Sequence, residues 1–239
     1  MDHPERGKCL IFNINEFDPH TGLDDTTWSD QDSDQLHYCF SELGFEVILY
    51  KNVTSKELIR HLEKVAVENH SNRDSFVCCI LTRGEKGFLY GRDGKICIEN
   101  VFSPFSGDKS PTLASKPKIF FIQACQKYEA DKSKDEVDAV SKVYTIPTQA
   151  DFLICDATLP GLYSLTNISK GSLFVQALCT MLEKHSNDMD LQSIMTAVNR
   201  KLTYMKVPLT PVDLCKGNVQ ETLCMTSMIT RKIYFRTNL

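Results

Sequence analysis

The sequence predicts an α/β fold, a mainly parallel sheet with helices on both faces. Three observations carry that expectation. Short apolar runs alternate with stretches of helical spacing along most of the chain. Phe76-Val77-Cys78-Cys79-Ile80-Leu81 is apolar without interruption, the mark of a strand covered on both sides. Helix boundaries are written locally: Thr54-Ser55-Lys56-Glu57 reads as a capping box and Gly44 as a helix stop.

In order, Cys9 to Ile14 reads as a buried strand, and a polar loop follows from Asp18 to Ser29. Asp30 to Leu43 has helical spacing, with Leu36, Phe40 and Leu43 on one face. Phe45 to Tyr50 is the next strand, and the helix capped by Thr54 carries Leu58, Leu62 and Val65. Phe76 to Leu81 and Ile119 to Ile122 are further strands. From Gln126 to Ser141 apolar residues thin out, Lys, Asp and Glu dominate, and no periodicity survives, which predicts an exposed linker. A second α/β piece begins with a strand at Ala150–Cys155, followed by helices at Ser172–Lys184 and Leu191–Leu202. Leu223–Met228 and Lys232–Phe235 both read as strands.

Composition narrows the function classes. At 239 residues the chain can bury a sizeable core. Its 27 Lys+Arg against 31 Asp+Glu, with no basic stripe, argues against nucleic acid. No apolar run approaches the ~18–20 residues of a membrane span, and the polar start Met1-Asp2-His3-Pro4-Glu5-Arg6 lacks a secretory apolar region. Several of the ten cysteines lie inside apolar runs, where a thiol acts as a small hydrophobe, so a cytoplasmic protein without disulfides is expected. No metal or cofactor motif is found.

Gln123-Ala124-Cys125 closes the apolar run Ile119–Ile122, after Ser115-Lys116-Pro117-Lys118. This segment resembles the nucleophile motif of caspases, cysteine endopeptidases whose catalytic histidine lies about 50 residues upstream. The likeness runs along nearly the whole chain. It includes Phe17-Asp18-Pro19-His20-Thr21-Gly22-Leu23, His70 to Cys78, Val198-Asn199-Arg200-Lys201 and the tail Thr226 to Phe235, and is nearest to the executioner group. The resemblance implies a caspase-like three-layer fold with a six-stranded, mainly parallel sheet. It also implies a large part over 1–125, an exposed linker over 126–143 and a small part over 144–239. The Leu223–Ile229 strand would then pair across a two-fold axis. No death-fold module is recognisable, so adaptor recruitment by that route is not expected.

The chain departs from the family in several separate segments. The Ser-His-Gly turn that supplies the family's histidine reads Thr82-Arg83-Gly84, 42 residues before Cys125. His70 lies 55 residues upstream of Cys125 but precedes the Phe76–Leu81 strand, whereas sites in open α/β sheets form beyond strand carboxyl ends. The other five histidines match no catalytic position, and all six are expected to be solvated or locally capping. An arginine donates hydrogen bonds only, and can neither take the thiol proton nor hand one to a leaving amine. It could still favour a Cys125 thiolate electrostatically, leaving a nucleophile trapped rather than turned over.

In the family two arginines and a glutamine grip the substrate aspartate. Gln123 is retained, but Thr26 and Thr166 stand at the arginine positions, with Leu165 for an aromatic wall. The glycine of the nucleophile motif is Lys127, while Gly84 still offers a backbone amide on the oxyanion side.

The linker carries Asp135-Glu136-Val137-Asp138-Ala139, which spells the executioner target followed by a small residue. Cleavage after Asp138 by a partner caspase is therefore expected. The resemblance together with the departures implies a catalytically impaired caspase homologue, acting on apoptosis by dimerising with an active caspase or with itself. The alternative is an active cysteine endopeptidase of altered specificity, using water or a substrate group in place of histidine.

Overall fold

The structure is a computed structural model that describes residues 3–26, 29–85, 87–126, 150–157, 166–167, 171–204 and 223–236. Cys125, Gln126, Thr166 and Asn167 are described by their backbone alone. The chain runs β1 (Glu5–Asn13), α1 (Ser29–Glu42), β2 (Glu46–Lys51), α2 (Ser55–Ala66) and β3 (Arg73–Glu85). Next come β4 (Phe88–Gly91), β5 (Gly94–Cys97), α3 (Ile98–Phe102), β6 (Lys118–Gln126) and β7 (Phe152–Asp156). It closes with β8 (Thr166–Asn167), β9 (Gly171–Ser172), α4 (Leu173–His185), α5 (Leu191–Tyr204) and β10 (Cys224–Ser227).

Six strands form the main sheet in the order β10-β7-β6-β3-β1-β2, and only β10 runs antiparallel in that path. The uninterrupted apolar runs are explained by how the pleat divides them. Cys9, Ile11, Val77, Cys79, Leu81, Ile119, Phe121, Leu153 and Cys155 face one core, which α1, α4 and α5 cover. Leu10, Phe12, Phe76, Cys78, Ile80, Phe120, Ile122, Phe152 and Ile154 face the other, under α2 and α3. A strand buried on both sides cannot alternate polar with apolar residues, because each face needs its own apolar set.

Local signals place the helices. Thr54 accepts from the Glu57 backbone and donates its own N–H to the Glu57 carboxylate at 2.9 Å, closing the capping box. At the end of α1 the Phe45 N–H bonds the Phe40 carbonyl and the Gly44 N–H the Ser41 carbonyl. This closure needs Gly44 at φ 84°.

Two sequence expectations are corrected. Lys232–Phe235 is not a strand: its alternation does bury Ile233 and Phe235. Its backbone meets no sheet edge, however, and the Ile233 carbonyl instead accepts the Leu191 N–H at the start of α5. Thr82-Arg83-Gly84 is not a turn either. β3 continues to Glu85 because β6 extends equally far beside it and β4 folds back onto Gly84. The β4–β5 hairpin itself was not anticipated, since its four-residue strands are too short to show a period.

Candidate active site

The extension of β3 and β6 sets the geometry of the site. In the parallel ladder Leu81 pairs with Gln123, Thr82 with Ala124, Arg83 with Cys125 and Gly84 with Gln126. Adjacent strands lie about 4.8 Å apart, so Arg83 is the direct cross-strand neighbour of Cys125. The guanidinium is half-exposed; one terminal nitrogen donates to the Asp24 carbonyl at 3.3 Å, while Nε is buried with no hydrogen-bond partner. Gly84 is confined by packing, because a Cβ there would come within 2.8 Å of the Ala124 Cβ. Thr82 is buried and donates its hydroxyl to the Tyr90 carbonyl at 2.6 Å.

Each of the six histidines has its own surroundings among the described residues. His70 is fully buried rather than solvated, and its Nε2 donates to the Val65 carbonyl at 2.8 Å. Burial lowers its pKa below the usual histidine value. It stands just before β3, and ten residues of strand from Arg73 to Arg83 span roughly 33 Å. His3 bonds Asp74 beside that same end. His20 contacts the Asp93 carbonyl, His61 stacks on Tyr50, His185 pairs with Asp188 and His37 is exposed on α1.

Of the residues expected to form a pocket, Gln123 lies near the carboxyl end of β6. Asn13, Leu81 and Gln123 share one register row across β1, β3 and β6. Asn13 Nδ2 donates to Asp30 Oδ1 at 2.9 Å, so this row lies on the α1 face. Gln123 is fully buried there. Thr26 is buried too, its N–H bonded to the Asn15 carbonyl just beyond β1. Thr166 pairs with Ser172 in the β8–β9 ladder, and the Ser172 N–H donates to Asp32 Oδ1 at 2.8 Å. Asp138, Lys127, Leu165 and the 126–143 linker, apart from the strand residue Gln126, lie outside the described residues.

Asp32 is the residue that sequence reading missed. It is fully buried, and its second oxygen has no hydrogen-bond partner. It also forces glycine at position 171, where φ is 79° and a Cβ would sit 2.2 Å from Oδ1. An aspartate in the first turn of an exposed-looking helix reads as a favourable dipole partner; only the approach of β9 buries it. Burial pushes its carboxyl up to about 6, against the Ser172 hydrogen bonds, which pull it down. The folded value exceeds the unfolded one, so the native state holds the extra proton between about pH 4 and 6. The contribution to stability is full below about pH 4 and is lost as pH rises through 6. Asp32→Asn should therefore gain on the parent by roughly 3 kcal/mol between pH 4 and 7.5. Urea denaturation of both proteins across that range reads the shift, and a pH-independent difference would rule out the ionisation.

The caspase domain family pattern matches residues 6–234. Caspase-3 of Bos taurus is 36% identical over 238 residues, covering 98% of this chain and 86% of that protein. Caspase-7 of Gallus gallus is 36% identical over 245 residues, covering 98% and 79%. Caspase-1 of Spodoptera frugiperda is 38% identical over 240 residues, covering 98% and 80%. With the sheet order, the Gln123–Cys125 strand end and this coverage in agreement, the chain belongs to the caspase family.

Proposed function

We propose that this caspase homologue regulates apoptosis without hydrolysing peptides itself, by pairing with an active caspase. The observation that carries the reading is the register of Arg83 against Cys125. A permanent cation and donor occupies the strand position where proton transfer is needed. Thr26 removes a second element, since its short neutral side chain cannot reproduce a bidentate grip on a carboxylate.

Pairing through the Leu223–Ile229 segment is supported by the sheet order. β10 bonds β7 on one side, and among the described residues no strand lies on its other side. Such an edge is a template for a further strand. A cytoplasmic setting is supported by the reduced thiols of Cys9, Cys39, Cys78, Cys79 and Cys155, all buried in the core. Among the described residues no helix is long and apolar enough to cross a membrane.

One incubation tests the reading. The purified protein is mixed with an active executioner caspase, and tetrapeptide hydrolysis, co-elution and chain length are followed together. Co-elution with an altered partner rate is expected. Cleavage after Asp138 is expected as well, blocked by Asp138→Ala. The cut halves should stay associated, because the Lys118 N–H bonds the Asp151 carbonyl, Arg231 bonds the Ser115 carbonyl and one core spans both halves. The absence of both co-elution and a changed rate would sink the proposal; a chain left intact would sink the linker reading alone.

A further inference from the structure

A groove of about 730 Å3 lies between α1 and α4. It starts two residues beyond Asp32 and runs along α1 away from the carboxyl edge of the sheet. Its first α1 residue, Asp34, follows Asp32, and the groove then extends along the helix to Glu42 and Leu43, next to Arg6 and the amino end of the sheet. At 1.5 Å per helical residue, Glu42 stands about 15 Å beyond Asp32.

The groove has an apolar floor and an anionic lip. Cys39 is buried and Cys179 half-buried, and their thiols are hydrogen-bonded to each other. That bond and burial push the Cys179 pKa far above the ordinary thiol value, and buried thiols of this kind pack as small hydrophobes. Asp34, Tyr38 and Glu42 recur every four residues, forming one exposed ridge on α1, and Glu183 faces them from α4. Tyr38 is 68% exposed, an aromatic ring held at the lip with nothing packed over it among the described residues. Among the described residues no lysine, arginine or histidine lines the groove, and Glu42 and Glu183 enter no ion pair.

We propose that this groove docks a basic peptide segment of a partner protein. An apolar side chain would enter the floor against Cys39 and Cys179, with lysine or arginine on either side facing Asp34, Glu42 and Glu183. The volume suits one or two side chains with their backbone, as in pockets of ~300–1,000 Å3. Charge complementarity selects the occupant. A second copy laid symmetrically on the same face would set carboxylates against carboxylates, in a chain whose net charge is −4. The groove is independent of Arg83 and Cys125, so it stands whether or not the chain turns over substrate.

The test is fluorescence anisotropy of the isolated protein with a labelled hexapeptide, two leucines flanked on each side by two lysines. Its counterpart with glutamate for lysine serves as the control. The basic peptide should bind, weaken several-fold between ~20 and ~200 mM salt, and weaken about tenfold or more in Glu42→Lys/Glu183→Lys. Both substituted positions are exposed, so folding is preserved. Glu63→Lys/Glu99→Lys changes the net charge equally at exposed positions of α2 and α3, and should leave binding intact. Equal binding of the two peptides, equal loss in both double variants, or binding indifferent to Glu42 and Glu183 would overturn the proposal. Self-association abolished by Tyr38→Lys in sedimentation would also overturn it, by making a second copy the occupant.

Discussion

Hydrolysis of an aspartyl tetrapeptide amide by the purified protein should match that of its Cys125→Ala variant within assay error, and Arg83→His alone should not restore efficient cleavage. A positioned acid–base group is worth ~10²–10⁴-fold, but on the proposed reading Thr26 and Thr166 would still stand where the family's aspartate pocket has arginines. Each charge-assisted bond to a carboxylate contributes ~1.5–3 kcal/mol, so two lost arginines cost a further ~10²–10⁴-fold at 1.4 kcal/mol per decade. The triple variant Arg83→His/Thr26→Arg/Thr166→Arg should therefore gain at least ~10⁴-fold in kcat/KM over the parent. The register makes the design reasonable, because position 83 already lies opposite Cys125 and Gln123 already sits in the buried row. Parental turnover that disappears with Cys125→Ala would reverse the conclusion and favour the endopeptidase of altered specificity.

The second large effect is on stability. Phe120→Ala should destabilise the fold by ~3–5 kcal/mol, a large share of the ~5–15 kcal/mol that holds a typical domain. Phe120 is fully buried and packs against four other rings, with centroids 4.9 Å from Phe102, 5.6 Å from Phe105, 6.0 Å from Phe76 and 6.1 Å from Phe152. It lies on β6, the strand that ends in Gln123 and Cys125, and Phe152 belongs to the neighbouring β7. Loss of this ring loosens the joint between the two halves on the sheet face under α2 and α3. Urea denaturation reads the effect, and Phe120→Leu, which keeps most of the apolar volume, should lose markedly less. Equal losses would mean that ring packing contributes little here.

Much of the fold could be read directly from residue order. Phe76–Leu81 and Ile119–Ile122 are apolar on consecutive positions, and both prove to be central strands shared between two cores. The Thr54 box and Gly44 mark helix ends because their chemistry is confined to a few neighbouring residues. Lys232–Phe235 shows the limit of this reasoning. Its alternation correctly foretold which side chains are buried, but a strand also needs a partner backbone, and pairing is not encoded within the segment itself.

The order of residues alone determined the family likeness, the two-sided sheet and the presence of an arginine at position 83, since each is a property of side-chain identity or local spacing. Tertiary structure alone decided three further things: that Arg83 stands in register with Cys125, that Asp32 is sealed against Ser172 and Gly171, and that α1 and α4 leave an acidic groove between them. These depend on which distant segments approach one another. That is settled by the packing of the whole chain, because burial and pairing energies are gained only when both partners arrive.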